Sequence, residues 1–60
     1  MKFPRALELM LDGHYMSRNS EPGSLYFVEG HQLVRSNEKG CEEANFTSEQ
    51  VFADDWHTES

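Results

Sequence analysis

The side chains in this sequence best suited to joint chemistry are its arginines and aromatics. Arg18 and Arg35 fall at the ends of apolar segments, and Tyr15, Tyr26, Phe27, Phe46 and Trp56 are many aromatics for a 60-residue chain. A ring that stacks on a base and a guanidinium that pairs with phosphate can together hold a nucleotide. Asp55 adds an acceptor for a base amine or a ribose hydroxyl. The candidate ligand-binding set is therefore Tyr15, Arg18, Tyr26, Arg35, Phe46, Asp55 and Trp56, with Lys2 and Arg5 behind the two arginines. The same residues also admit a plainer use. A short chain builds its core from its aromatics, Asp55-Trp56 could end a helix and pin it to a sheet, and Arg18 could pair with a surface acid.

Other chemistry is poorly supplied. His14, His31 and His57 form no HxxxH, HxH or Cys/His pairing, so neither a metal nor another cofactor is expected. Cys41 is the single cysteine, which excludes an internal disulfide. It lies beside Glu42, a setting that works against a thiolate nucleophile. There is no GxSxG elbow and no glycine-rich phosphate loop. Glu42-Glu43 and Asp54-Asp55 are neighbours in sequence, which does not set carboxylates across a site. Asn45-Phe46-Thr47 matches a glycosylation acceptor, read as accidental because no secretion signal accompanies it. No nucleophile, base and oxyanion donor come together, so the chain reads as a non-enzyme.

Charge narrows the partners. Net charge is -6. The N-terminal third sets Lys2, Arg5 and Arg18 against Glu8 and Asp12, whereas the remainder has only Arg35 and Lys39 against nine acids. Such a chain repels nucleic-acid backbones and anionic membranes, so neither direct DNA or RNA binding nor membrane association is expected. The acids either keep a small protein soluble or face a basic protein surface. No stretch has the length of a membrane span, and the opening residues lack the apolar core of a signal peptide, so a cytoplasmic protein is expected. Sixty residues make one domain, 1–60, with a marginal core. Self-association is the remaining staple, so a homo-oligomer is expected.

The elements that position these residues can be read from spacing. Phe3, Leu7, Met10 and Leu11 recur at helical period over 4–12, Pro4 suits the first turn, Arg5 and Glu8 can pair, and Gly13 stops the helix. Leu9 falls off the stripe and reads as exposed. Residues 14–18 suit a short strand, and 19–24 form a turn around Pro22-Gly23. Leu25-Tyr-Phe-Val-Glu29 is the strongest strand, with Tyr26 and Val28 facing one way and Leu25 and Phe27 the other. Gly30-His31 links it to a third strand over 32–36 in an antiparallel hairpin. Residues 37–45 read as a polar loop. Thr47 and Gln50 form a capping box opening a helix over 47–55, with Phe46 and Val51 at staple positions and Val51, Phe52 and Trp56 on its buried face. The fold class is α+β: a small antiparallel sheet of about three strands with an N-terminal and a C-terminal helix, in the order α-β-β-β-α.

Two segments also resemble a known family. Met1-Lys-Phe-Pro-Arg-Ala-Leu-Glu-Leu-Met-Leu-Asp-Gly-His-Tyr-Met-Ser-Arg18 is similar to the opening of the Thoeris anti-defence two family of phage proteins. Thr47-Ser-Glu-Gln-Val-Phe-Ala-Asp-Asp-Trp56 is similar to its closing motif, Thr-x-x-Asp-(apolar)-(apolar)-Ala-x-Asp-Trp. Gln50 stands where that motif has aspartate, Phe46 where proline is common, and no tryptophan follows Arg18. The resemblance implies a sponge: a homo-oligomer that binds a cyclic nucleotide or ADP-ribose-derived immune signal, near subunit contacts, without cleaving it. The alternative left open by the charge distribution is an acidic inhibitor, of which a nucleic-acid mimic is one form, that binds a basic host defence protein.

Overall fold

The computed structural model describes residues 1–59. Its elements run α1 (Phe3–Leu11), β1 (Tyr15–Arg18), β2 (Glu21–Glu29), β3 (Gln32–Asn37), β4 (Gly40–Glu43), α2 (Ser48–Phe52) and β5 (Trp56–Glu59). The class is α+β: two helices and an open antiparallel sheet, with strand order β4-β3-β2-β1-β5.

The sheet has five strands rather than about three. β4 occupies part of the span 37–45 that the sequence presents as a loop. Asn37 and Gly40 pair across a two-residue turn, Gly40 has φ 120, and Asn37 Oδ1 accepts from the Lys39 N–H at 2.9 Å. The side-chain amide substitutes for a backbone turn, and the positive φ suits a residue without Cβ. Cys41-Glu42-Glu43 has no β-branched or aromatic residue, so the strand rests on this turn and on pairing with β3 rather than on propensity.

The 19–24 turn is likewise shorter than its composition suggests, because Glu21–Ser24 belong to β2. Met16 faces Tyr26, yet Arg18 faces Glu21, so the β1–β2 register breaks through an irregularity. Pairing of β2 with β3 reaches only Leu25–Ser36. Pro22, which has no N–H to give a ladder, thus lies outside both regular registers.

The C-terminal segment departs most from its reading. The helix is five residues, Ser48–Phe52, not 47–55, and Trp56 opens a strand instead of ending a helix. The capping box forms: Thr47 Oγ1 accepts from the Gln50 N–H, and Gln50 Oε1 accepts from the Thr47 N–H. Val51 and Phe52 are exposed, Phe52 at 85%. One helical turn buries only one side, and that side carries Gln50.

α1 follows its pattern more closely. Gly13, at φ 100, takes the position after the cap. The His14 N–H donates to the Leu9 carbonyl and the Gly13 N–H to that of Met10, both at 3.0 Å. This pair of bonds is a Schellman closure. Leu11 projects into solvent at the helix end, whereas Leu9 packs against the core.

α1 lies on β1, β2 and β5 and also touches α2. The core is Ala6, Met10, Met16, Tyr26 and Trp56, joined by Phe3, Leu9, Val28, Leu33 and Phe46. Tyr26 and Val28 face this core. Leu25 and Phe27 lie on the opposite face, with Tyr15 stacked on Phe27 at 4.9 Å between ring centroids. The backbone of Met1 pairs with Trp56 at the start of β5: the Trp56 N–H donates to the Met1 carbonyl at 3.2 Å, and Met1 N donates back at 2.7 Å. No helix among the described residues is long and apolar enough to cross a membrane.

Candidate functional site

Four of the seven candidate residues meet at one end of the inner sheet face. Arg18 ends β1 directly opposite Trp56, the first residue of β5. Its Nε donates to Asp55 Oδ1 at 2.9 Å and its Nη1 to Glu21 Oε2 at 2.8 Å. Glu49 lies 3.9 Å from Nη2. Asp55 also accepts from the Ser20 N–H and hydroxyl, at 3.2 and 2.9 Å. Tyr26 donates its hydroxyl to Glu21 Oε1 at 2.7 Å. Gln50 Nε2 donates to the Tyr26 hydroxyl at 2.9 Å and to Glu21 Oε2 at 3.1 Å. Trp56 closes the array, its indole N–H donating to the Gln50 carbonyl at 3.0 Å.

Burial and charge act together here. The Arg18 side chain is only 7% exposed, and two carboxylates face it. A buried guanidinium needs this pairing, because an unpaired charge away from water is expensive. The hydrogen bond to Asp55 raises the Arg18 pKa above its ordinary value, against an opposing contribution from burial. The same bond holds the Asp55 carboxyl down at about 2. For Glu21, burial pushes the pKa up, but hydrogen bonds from Tyr26, Gln50 and Arg18 outweigh it and leave the carboxyl below its usual range. Burial, then the Glu21 hydrogen bond, pushes the Tyr26 phenol up to about 12. At neutral pH the cluster holds two fixed carboxylates, a fixed guanidinium and a neutral phenol. Carboxylates this acidic are weak bases, and the donors facing them are already engaged.

Three of the aromatic candidates pack on one another and on Phe3. Phe46 lies 5.0 Å from Phe3, 5.3 Å from Tyr26 and 6.0 Å from Trp56. Tyr26 and Trp56 are each 1% exposed. Neither Tyr26 nor Trp56 presents a free face to solvent as a stacking platform, whereas Phe46 is partly buried. Tyr15 is half-exposed but lies on the opposite sheet face from Arg18, with Phe27 beneath it. Arg35 faces Tyr26 across the β2–β3 ladder and pairs with Glu42, whose hydrogen bond raises its pKa.

Sequence reasoning missed Glu21, Ser20 and a second role for Gln50. Glu21 was masked by its place in a turn cluster. Gln50 was visible as a capping residue, but its amide serves both the helix start and the buried carboxylate. The fold also makes two open grooves. One, of about 430 Å³, is lined by Arg35, Asn37, Lys39, Gly40, Cys41 and Glu42. The other, of about 350 Å³, is more apolar and lies between Leu7 and Leu11 of α1 and the β2–β3 turn. Among the described residues no group of three or more His, Cys, Asp or Glu side chains is placed to hold a metal ion. No family model, curated protein or solved structure matches this chain.

Proposed function

We propose that this chain is a phage-type anti-defence protein that binds a cyclic nucleotide or ADP-ribose-derived immune signal and holds it uncleaved, as the resemblance to the Thoeris anti-defence two family implies. One observation carries the reading. The two segments that bear the resemblance, 1–18 and 47–56, come together as one body through the Arg18–Asp55 pair and the Met1–Trp56 backbone pairing. Residues that look like one family's opening and closing motifs are thus partners in this fold. The self-satisfied Arg18 cluster is the rigid frame in this reading. Ligand contacts fall to candidates left accessible, either Arg35 on the face that carries Tyr26 or Tyr15 on the opposite face. Assembly as a homo-oligomer is part of the proposal: Tyr15, Leu25 and Phe27 occupy a sheet face that neither helix covers.

Isothermal titration of the purified protein against cyclic dinucleotides, cyclic trinucleotides and cyclic ADP-ribose isomers tests it. A sponge for a scarce signal needs nanomolar affinity, about -12 kcal/mol. A flat response across that panel removes the reading.

A second reading draws on a separate observation. Apart from Arg18 and its two hydrogen-bonded partners Glu21 and Asp55, the chain carries nine carboxylates against four lysines and arginines. That excess suits a basic surface on a host defence protein. Reversing Glu42, Glu43 and Asp54 together would abolish such a complex, and unchanged capture of the partner would end this version. Asp55 is excluded from the set because it is committed to Arg18.

A further inference from the structure

We propose that the groove beside the β3–β4 turn is a seat for the phosphate groups of a small anionic ligand. Of the four cations outside the Arg18 cluster, two converge on it, Arg35 from β3 and Lys39 from the turn. They are also the only cations in the acidic part of the chain beyond Arg18. Arg35 is fixed by its place in the sheet, facing Tyr26 on one side and Glu42 on the other. Glu42 engages it through Nη2 while the side chain stays about a third exposed; Nε has no partner but is shut off from solvent, so an anion reaches it only if the side chain shifts. Lys39 forms no ion pair among the described residues.

The volume, about 430 Å³, is within the range of small-ligand sites. The lining is mostly polar, with Asn37, Gly40, Cys41 and Glu42 beside the two cations, which favours phosphate and sugar over an apolar ligand. A guanidinium held in place and an exposed ammonium on the same groove are complementary phosphate donors, one directional and one a point charge. Glu42 is the antagonist. It occupies one edge of Arg35, so an anion must share or displace it. Glu38, beside Lys39 in the turn, opposes an anion more weakly.

The seat deepens the sequestration reading and rests on it for the ligand class, a phosphodiester-bearing nucleotide. The groove itself asks only for phosphate.

The test is an amide-resolved NMR titration with sodium pyrophosphate, matched in ionic strength by sodium chloride. The expected result is saturable shifts concentrated at residues 35–42. Arg35→Gln should weaken the apparent affinity roughly tenfold, and Lys39→Gln about threefold. Glu42→Gln should tighten it severalfold, because it frees Arg35. Shifts that follow ionic strength alone, or a Glu42→Gln variant that binds more weakly, would overturn the seat. Lys39 is exposed in the turn, so its variant remains informative if Arg35→Gln fails to fold. Pyrophosphate that saturates the hairpin while every cyclic nucleotide fails supports the seat and removes the sequestration reading. A cyclic nucleotide that binds equally well in both variants overturns the seat and leaves that reading standing.

Discussion

Arg18 Nε meets Asp55 Oδ1 at 2.9 Å, tying the end of β1 to the residue just before β5. The pair closes an edge of the sheet that sequence-local bonds cannot close. It also places Trp56 over the core, where its indole N–H reaches the Gln50 carbonyl. A single turn of helix, a four-residue strand and the first strand are thereby locked together by side chains rather than by long ladders.

The acid limb of stability should come from this pair. Asp55 titrates at about 2 in the fold against an ordinary 3.8, and Glu21 lies below its ordinary 4.5. The unfolded chain therefore binds these protons first, so the stabilisation is present above about pH 4.5 and is lost as pH falls toward 2. Denaturant midpoints measured between pH 6 and 2 should show that fall. In Asp55→Asn it should shrink, with lower stability at neutral pH. A wild-type midpoint that stays level down to pH 2 contradicts this assignment.

The alkaline limb should belong to Tyr26. Its phenol is raised to about 12 from 10.0, so the fold favours the protonated form. That contribution is complete below pH 10 and disappears as pH rises through 12. Ultraviolet titration of a Tyr15→Phe variant isolates the Tyr26 phenol. Ionisation near the ordinary value would show that neither the burial of the Tyr26 phenol nor its Glu21 contact persists in solution.

Gln50 should matter more than an ordinary cap. Its side chain accepts from the Thr47 N–H and donates to Tyr26 and Glu21. Gln50→Ala removes the reciprocal cap and leaves buried acceptors short of a donor, a loss of about 1–3 kcal/mol. In a domain this small that lowers Tm by roughly 5–20 °C. Thermal melts by circular dichroism measure it, and a change within about 1 °C would remove Gln50 from the network.

Trp56 and Phe52 should behave oppositely although both are large aromatics in one short stretch. Trp56 is 1% exposed and Phe52 is 85% exposed. Trp56→Ala should cost about 3–5 kcal/mol. A chain of this length has only about 3–9 kcal/mol in total, so the variant should lose roughly half or more of its stability. Phe52→Ala should change stability by less than about 0.5 kcal/mol. Urea titrations of both variants decide this, and equal sensitivity would contradict the burial assigned to α2.

The elements with strong periodic or turn signals were legible in the sequence. α1 and its glycine stop, the Leu25–Glu29 strand, its hairpin to β3 and the Thr47–Gln50 box all follow from local chemistry. β4 and β5 were not, because neither is a strong strand by composition. β4 exists because the Asn37–Gly40 turn returns the chain beside β3. β5 exists because Arg18, Asp55 and Met1 hold Trp56 against β1. The cluster was legible only in part, and not in its state. Arg18, Tyr26, Asp55 and Trp56 do converge, yet they satisfy one another. The deciding residues, Glu21 and a doubly used Gln50, give no local signal that they will meet.

The central claim is capture without turnover. The most direct test is to saturate the protein with each cyclic nucleotide that binds, isolate the complex, release the ligand by heating and weigh it by mass spectrometry. Capture without turnover gives a fixed molar ratio of ligand to chain and a released mass identical to the mass added. A released product heavier by one water, or ligand consumed in excess of the protein, would contradict it.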